Sequence, residues 1–116
     1  MHTDGFKYDG KHGEATVTFS SDDPLFRGHF DYQPILPGVA LVEAVVQFVS
    51  QALDKPLRLR RVSNVKFFQV VLPGQAILLK FECRPQDDFV KVQARWDFNS
   101  EQKIASLACE LTEEVI

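Results

Sequence analysis

His29 and Glu43 are the two side chains whose types and spacing could do chemistry, fourteen residues apart in a chain of 116. A histidine with a carboxylate supplies both members of a general acid–base pair. His29 sits in Arg27-Gly28-His29-Phe30, inside a Pro/Gly-rich stretch, 22–38 (DDPLFRGHFDYQPILPG), that follows neither the helical nor the strand period. The other histidines offer less: His2 lies at a frayed terminus, and His12, in Gly10-Lys11-His12-Gly13, reads as a turn residue. A lone loop histidine is structural more often than catalytic; a carboxylate on the following helix changes that balance.

Glu43 belongs to the segment 38–53 (GVALVEAVVQFVSQAL), the one convincing helix of the sequence. Its apolar residues cover most of the circumference, so it must be buried on nearly all sides. Valine is a middling helix former, and packing rather than propensity has to hold it. Glu43, Gln47, Ser50 and Gln51 form a single narrow polar stripe. That stripe is either a solvent-facing edge or the wall of a cavity in which Glu43 acts as an acid. At the helix start Pro37 fits the first helical position, while Leu36 before it cannot cap. The Gly38 N–H is then either satisfied by water in an ordinary turn or free to receive an oxygen that develops negative charge.

The elements that position these residues follow from pattern and punctuation. Residues 14–20 (EATVTFS) alternate as a half-buried strand, and strands are expected over 57–71, 75–84, 89–98 and 102–112. Asp54-Lys55-Pro56 ends the helix, Pro73-Gly74 separates the first pair of later strands, and Pro85-Gln86-Asp87-Asp88 turns the next. The order β-α-β-β-β-β indicates an α+β domain with a mostly antiparallel sheet.

Length and composition bound the rest. A chain of this size makes one domain, residues 1–116, and folding reduces its surface from roughly 19,000 to roughly 6,400 Å². At 45% hydrophobic and 25% charged it lies in the globular range. No apolar run is long enough to span a membrane, and the start Met-His-Thr-Asp-Gly lacks the features of a secretory signal. Cys83 and Cys109 match no metal or redox spacing, so a reduced, cytoplasmic setting is the default. The net charge of −3 argues against general nucleic-acid binding. Residues 55–66 (KPLRLRRVSNVK) nevertheless carry five cations and no acid. They form either a solvated strand face or a contact for an acidic partner. No dinucleotide, P-loop, zincin or nucleophile-elbow motif is present in the sequence.

Gly28-His29-Phe30, then Gln33-Pro34-Ile35-Leu36-Pro37-Gly38-Val39, then Glu43-Ala44 and Gln47, resemble the signature of the β-hydroxyacyl-[acyl-carrier-protein] dehydratases. Phe67 followed by Val71-Leu72-Pro73-Gly74 resembles a second motif of that family. The resemblance covers about residues 14–112 and implies the hotdog fold, an antiparallel sheet wrapped around one long central helix. It implies that His29 abstracts the Cα proton of a 3-hydroxyacyl thioester and that Glu43 protonates the departing hydroxyl. The Gly38 N–H, with Val39 beside it, would hold the thioester oxygen; Gln47 would orient Glu43, and Phe30 and Pro37 would support the site. No metal and no cofactor is implied.

The implied partner is an acyl carrier protein bearing the 3-hydroxyacyl chain, with Arg58, Arg60, Arg61 and Lys66 as candidates to dock it. The implied assembly is a homodimer, with higher oligomers or a heterodimer as variants, in which edge strands pair and the site is shared. Asp31-Tyr32 departs from the family's Pro-Gly, and the front is short, which fits a specialised member in fatty-acid or polyene-type lipid biosynthesis. Two rival readings remain at this level: an acyl thioesterase of the same fold, and a non-catalytic acyl-binding module.

Overall fold

The computed structural model describes residues 1–26, 35–99 and 101–114, the side chain of Leu25 excepted. Among them, strands β1 (His2–Tyr8) and β2 (His12–Thr18) are followed by a 3₁₀ turn, Pro24–Phe26, and helix α1 (Gly38–Leu53). Then come β3 (Leu57–Phe67), β4 (Ala76–Pro85), β5 (Val90–Asn99) and β6 (Gln102–Glu113). The strands form one six-stranded antiparallel sheet in the order β1-β2-β4-β5-β6-β3. An antiparallel sheet with a single long buried helix is the hotdog architecture.

Helix α1 is held by burial, as its valines require. Val45 and Val49 are fully buried, and Leu41, Ala44 and Phe48 nearly so. They join one core with Val17 of β2, Leu79 of β4, Trp96 of β5 and Leu111 of β6. Complete burial of each larger side chain contributes about 1.5–3 kcal/mol, which more than offsets the weak helix propensity of valine. The helix stops at Asp54, in the left-handed region at φ 53°, ahead of Pro56. Ser50 Oγ donates to the Val46 carbonyl (2.8 Å) and accepts the Leu57 N–H (3.2 Å), tying the last turn to the start of β3. Helix and strand therefore run in opposite directions side by side.

One strand is additional, and the bounds of β2 and β3 differ from the sequence reading. The additional strand is β1, so His2 belongs to a strand, and His12 opens β2 instead of sitting in a turn. A bulge between Asp4 and Lys7 breaks the alternation that would announce β1. The turn itself is Asp9-Gly10: the Asp9 carboxylate accepts the Lys11 and His12 N–H groups, and Gly10 takes φ 99°. Strand β3 ends at Phe67 rather than 71, because the chain turns away there; the N–H groups of Phe68 and Gln69 both point to the Ile104 carbonyl.

Strand β3 is an edge strand with two bulges, between Leu59 and Arg61 and between Val62 and Asn64. Each inserts one residue, and together they keep the apolar residues in phase. Leu59, Val62, Val65 and Phe67 lie opposite the buried Leu111, Cys109, Leu107 and Ala105 of β6. Arg58, Arg61, Asn64 and Lys66 take the other face. The apolar side is incompletely covered: Leu59 is 40% and Phe67 51% exposed.

At the opposite edge Gly13 pairs with Tyr8 and Phe81, whose rings stack with centroids 6.1 Å apart. A Cβ built on Gly13 would run into the Phe81 ring at Cζ. Gly13→Ala should therefore cost about 1–3 kcal/mol through overpacking. Urea denaturation measures it, and an unchanged midpoint would show that the ring swings aside freely.

Candidate active site

Pro37 precedes the helix with extended backbone (φ −65°, ψ 143°), so it is the N-cap and Gly38 the first helical residue. This corrects the placement of Pro37 inside the first turn: its ψ is incompatible with a helical position. No side chain caps the helix; the Pro37 carbonyl accepts the Ala40 N–H at 3.0 Å. Among the described residues the Gly38 and Val39 N–H groups meet no acceptor. Two free N–H groups at the positive end of a 16-residue helix form an electrophilic corner.

Gly38 has a packing reason as well as a chemical one. A Cβ there would stand 2.6 Å from Cζ of Phe67, so the ring at the end of β3 lies directly on the helix start. Leu36, buried, donates its N–H to the Val71 carbonyl (2.9 Å) and fixes the approach to that corner. Phe67 thus adjoins the candidate site, a position that its place in a sequence motif did not reveal.

Glu43 and Gln47, one turn apart on the helix, open on a cleft of about 180 Å³ lined also by Met1, Phe19, Asp23, Ala40 and Ala44. Of the polar stripe, Glu43 and Gln47 are exposed and line this cleft, while Ser50 is tied to β3 and Gln51 is exposed outside it. Asp23 is a residue that sequence reasoning missed; the N-terminal ammonium stands 3.6 Å from its carboxylate. A larger groove of about 550 Å³ at the β1–β2 turn, beside Lys7, Asp9, His12 and Glu82, contains none of these groups. His29 and Phe30 lie outside the described residues, as do Asp31 and Tyr32.

The remaining reactive groups can be placed. Burial pushes the thiols of Cys83 and Cys109 up to about 11, so neither is a nucleophile at neutral pH. Among the described residues no three metal-ligating side chains converge, and no helix is long and apolar enough to cross a membrane. Of the arginines proposed for docking, Arg60 is engaged within the chain, 3.4 Å from Glu110 and 4.4 Å over the Phe89 ring. Arg58, Arg61 and Lys66 are exposed and without an ion-pair partner among the described residues.

Comparison with known proteins decides the family. The profile described as ApeI dehydratase, ApeI-like, matches residues 6–108. The chain belongs to the ApeI-like dehydratase family. Among relatives, it is 30% identical over 105 residues to the 3-hydroxyacyl-[acyl-carrier-protein] dehydratase FabZ of Enterococcus faecalis, a match covering 84% of this chain and 72% of the relative. It is 35% identical over 71 residues to the bifunctional enzyme LpxC/FabZ of Bacteroides thetaiotaomicron, covering 54% of this chain and 15% of that much longer protein. In fold it resembles the dehydratase heterocomplex ApeI:P from Xenorhabdus doucetiae, with a TM-score of 0.77 at 22% identity over 97% of this chain and 96% of that one.

The buried thiols generate a prediction. Native protein at pH 8 should resist a thiol-specific reagent, and both cysteines should react once urea unfolds it. The raised values also set the sign of a pH effect: below about 9 the thiols stay protonated in both states and their stabilising contribution is fully present. Between about 9 and 11 the unfolded chain releases protons that the folded chain keeps, so stability should fall with rising pH in that window. Titrating the urea midpoint across it, against a Cys83→Ala/Cys109→Ala control, measures the effect.

Proposed function

We propose that this dehydratase removes water from 3-hydroxyacyl thioesters carried on an acyl carrier protein, giving trans-2-enoyl thioesters for fatty-acid or polyene-type lipid synthesis. The observation that carries the reading is one of geometry. An open helix N-terminus and a carboxylate, Glu43, stand on the same helix about 7.5 Å apart along its axis. A thioester oxygen at Gly38 and Val39 and a 3-hydroxyl at Glu43 fit that separation within one small substrate.

In this reading the thioester carbonyl accepts hydrogen bonds from the Gly38 and Val39 N–H groups, which, with the helix dipole, stabilise enolate charge. His29 takes the Cα proton, and the electron pair forms the new Cα–Cβ double bond as the C3–O bond breaks. Glu43 gives its proton to the leaving oxygen, so water departs; the two side chains then recover their protonation states through solvent. Gln47, one turn along, orients Glu43. No metal or cofactor enters the step.

The half-exposed apolar side of β3, with Val39 and Phe67 at its site end, is read as the face that a second copy covers. Pairing of the two edge strands gives a dimer and protects an open sheet edge. Higher assemblies or a related second chain in place of the copy are variants of this arrangement. The acid of one subunit then faces the histidine of the other, in a cytoplasmic enzyme.

Mass spectrometry of a 3-hydroxyacyl carrier incubated with the protein should show loss of one water. Release of free thiol from an acyl thioester lacking the 3-hydroxyl would favour hydrolysis instead. His29→Ala and Glu43→Gln should each lower turnover by about 10²–10⁴-fold with the fold retained.

Sharing of the site has its own signature. Co-refolding the two inactive variants should make half the dimers mixed and restore about a quarter of all sites. A mixture as inactive as its parents would place the pair in one chain.

A further inference from the structure

Strand β3 runs antiparallel to α1, so its two ends stand beside opposite ends of the helix. Leu57 is bonded to the last helical turn through Ser50, while Phe67 lies on Gly38. The helix is 16 residues long, so these ends are roughly 24 Å apart. Arg58 is at the Leu57 end, and Arg60 and Arg61 lie towards the middle of the strand; Lys66 is at the Phe67 end, on the outer face of the sheet beside Ser106.

A second cation joins it there. Lys103, at the start of β6, sets its ammonium 5.6 Å over the ring of Phe68, the residue that leaves β3. Gln69 Nε2 donates to the Lys103 carbonyl at 3.3 Å, which holds the 68–70 segment against β6. Asp97 lies opposite Lys103, but it is buried, and Arg95 Nε donates to both its carboxylate oxygens at 2.9 and 2.8 Å. Glu101, exposed in the preceding turn, is the nearest acid in sequence. Phe68, under the Lys103 ammonium, and Val70, two residues on, are each more than half exposed. The corner thus combines two cations with exposed apolar side chains, at the end of β3 where Phe67 lies on the helix start.

We infer that the acidic acyl carrier docks on this corner, through Lys66 and Lys103 together with Phe68 and Val70, and not on the arginines of β3. The inference rests on the dehydratase reading, since it is the thioester that must reach Gly38. Charge complementarity selects an acidic partner, and proximity selects this end: a thioester arm entering here meets the helix start directly. From the Arg58 end the same arm would have to travel the length of the helix. The exposed phenylalanine and valine supply the small desolvated centre that a specific protein contact needs.

Kinetics on two substrates test it: a 3-hydroxyacyl carrier and the same acyl group on a small N-acetylcysteamine thioester. Lys66→Glu and Lys103→Glu should each raise KM for the carrier substrate about five- to tenfold and flatten its salt dependence. Both should leave the small thioester unchanged, and Arg58→Glu and Arg61→Glu should alter the carrier KM less than twofold. Larger effects from the arginines, or none from the lysines, would overturn the docking site. Fluorescence titration of a labelled carrier onto the same variants, with Lys66→Gln and Lys103→Gln as milder changes, ranks them without turnover. A wild-type protein that binds carrier through the lysines yet dehydrates neither substrate would leave the docking site standing and remove the dehydratase reading.

Discussion

A helix with apolar residues on nearly every side cannot stand in water, and this constraint organises the molecule. Helix α1 takes its stability from what encloses it, with Val45 and Val49 wholly removed from solvent. A sheet can enclose a helix only by curling, so its strands must present one continuous apolar face. Residues Ala15 and Val17, Ile77 and Leu79, Val92 and Trp96, Leu107 and Leu111 supply that face at period two. The polar stripe of Glu43 and Gln47 is the one line along the helix that the enclosure leaves open, and there the cleft forms. The site is therefore a consequence of the packing: the only helical side chains able to do acid–base work are those on that line.

The same constraint explains the irregularity of β3. Its sequence, LRLRRVSNVKF, is too polar in its middle to alternate cleanly. Without bulges Val65 and Phe67 would keep the phase of Leu57 and Leu59, but Val62 would turn to the outer face and Arg61 inward. Two inserted residues restore an unbroken apolar line from Leu57 to Phe67 and deliver Phe67 onto Gly38. That contact requires a glycine, and the glycine in turn leaves the first helical N–H groups without a side chain in front of them. One steric fit thus serves both the closure of the core and the exposure of the electrophilic corner.

How much of this the sequence shows depends on the signal each residue carries. The helix and the last four strands are legible because long apolar periods are strong signals, and Asp54-Lys55-Pro56 marks an unambiguous stop. Strand β1 is not, since only Phe6 and Tyr8 carry its pattern across a bulge; the Asp9-Gly10 dipeptide after them was the available turn signal. The partnership of Phe67 with Gly38 joins residues 29 positions apart, and no local pattern encodes it. Glu43 and Gln47 were visible as a stripe, but whether a stripe faces a cleft depends on Phe19 and Asp23, which arrive from another part of the chain. The cation stripe is ambiguous in a similar way: residues 55–66 carry five positive charges, four of them on β3, and under the proposed docking the use of each depends on which end of the helix it adjoins.

The open character of the site in a single chain has a physical meaning under the proposed function. Enolate charge is stabilised most where water is excluded, because hydrogen bonds and dipoles act more strongly in a low dielectric. Glu43 is exposed in this chain, and Val39, beside the free N–H groups, is 59% exposed. The surfaces in need of cover, Leu59, Val62 and Phe67 of the edge strand, lead up to the same corner. In the proposed dimer, covering them and drying the site would be a single event, driven by apolar burial. The hydrophobic effect that joins two copies in that dimer would also finish the chemistry, so neither chain need complete its own active site.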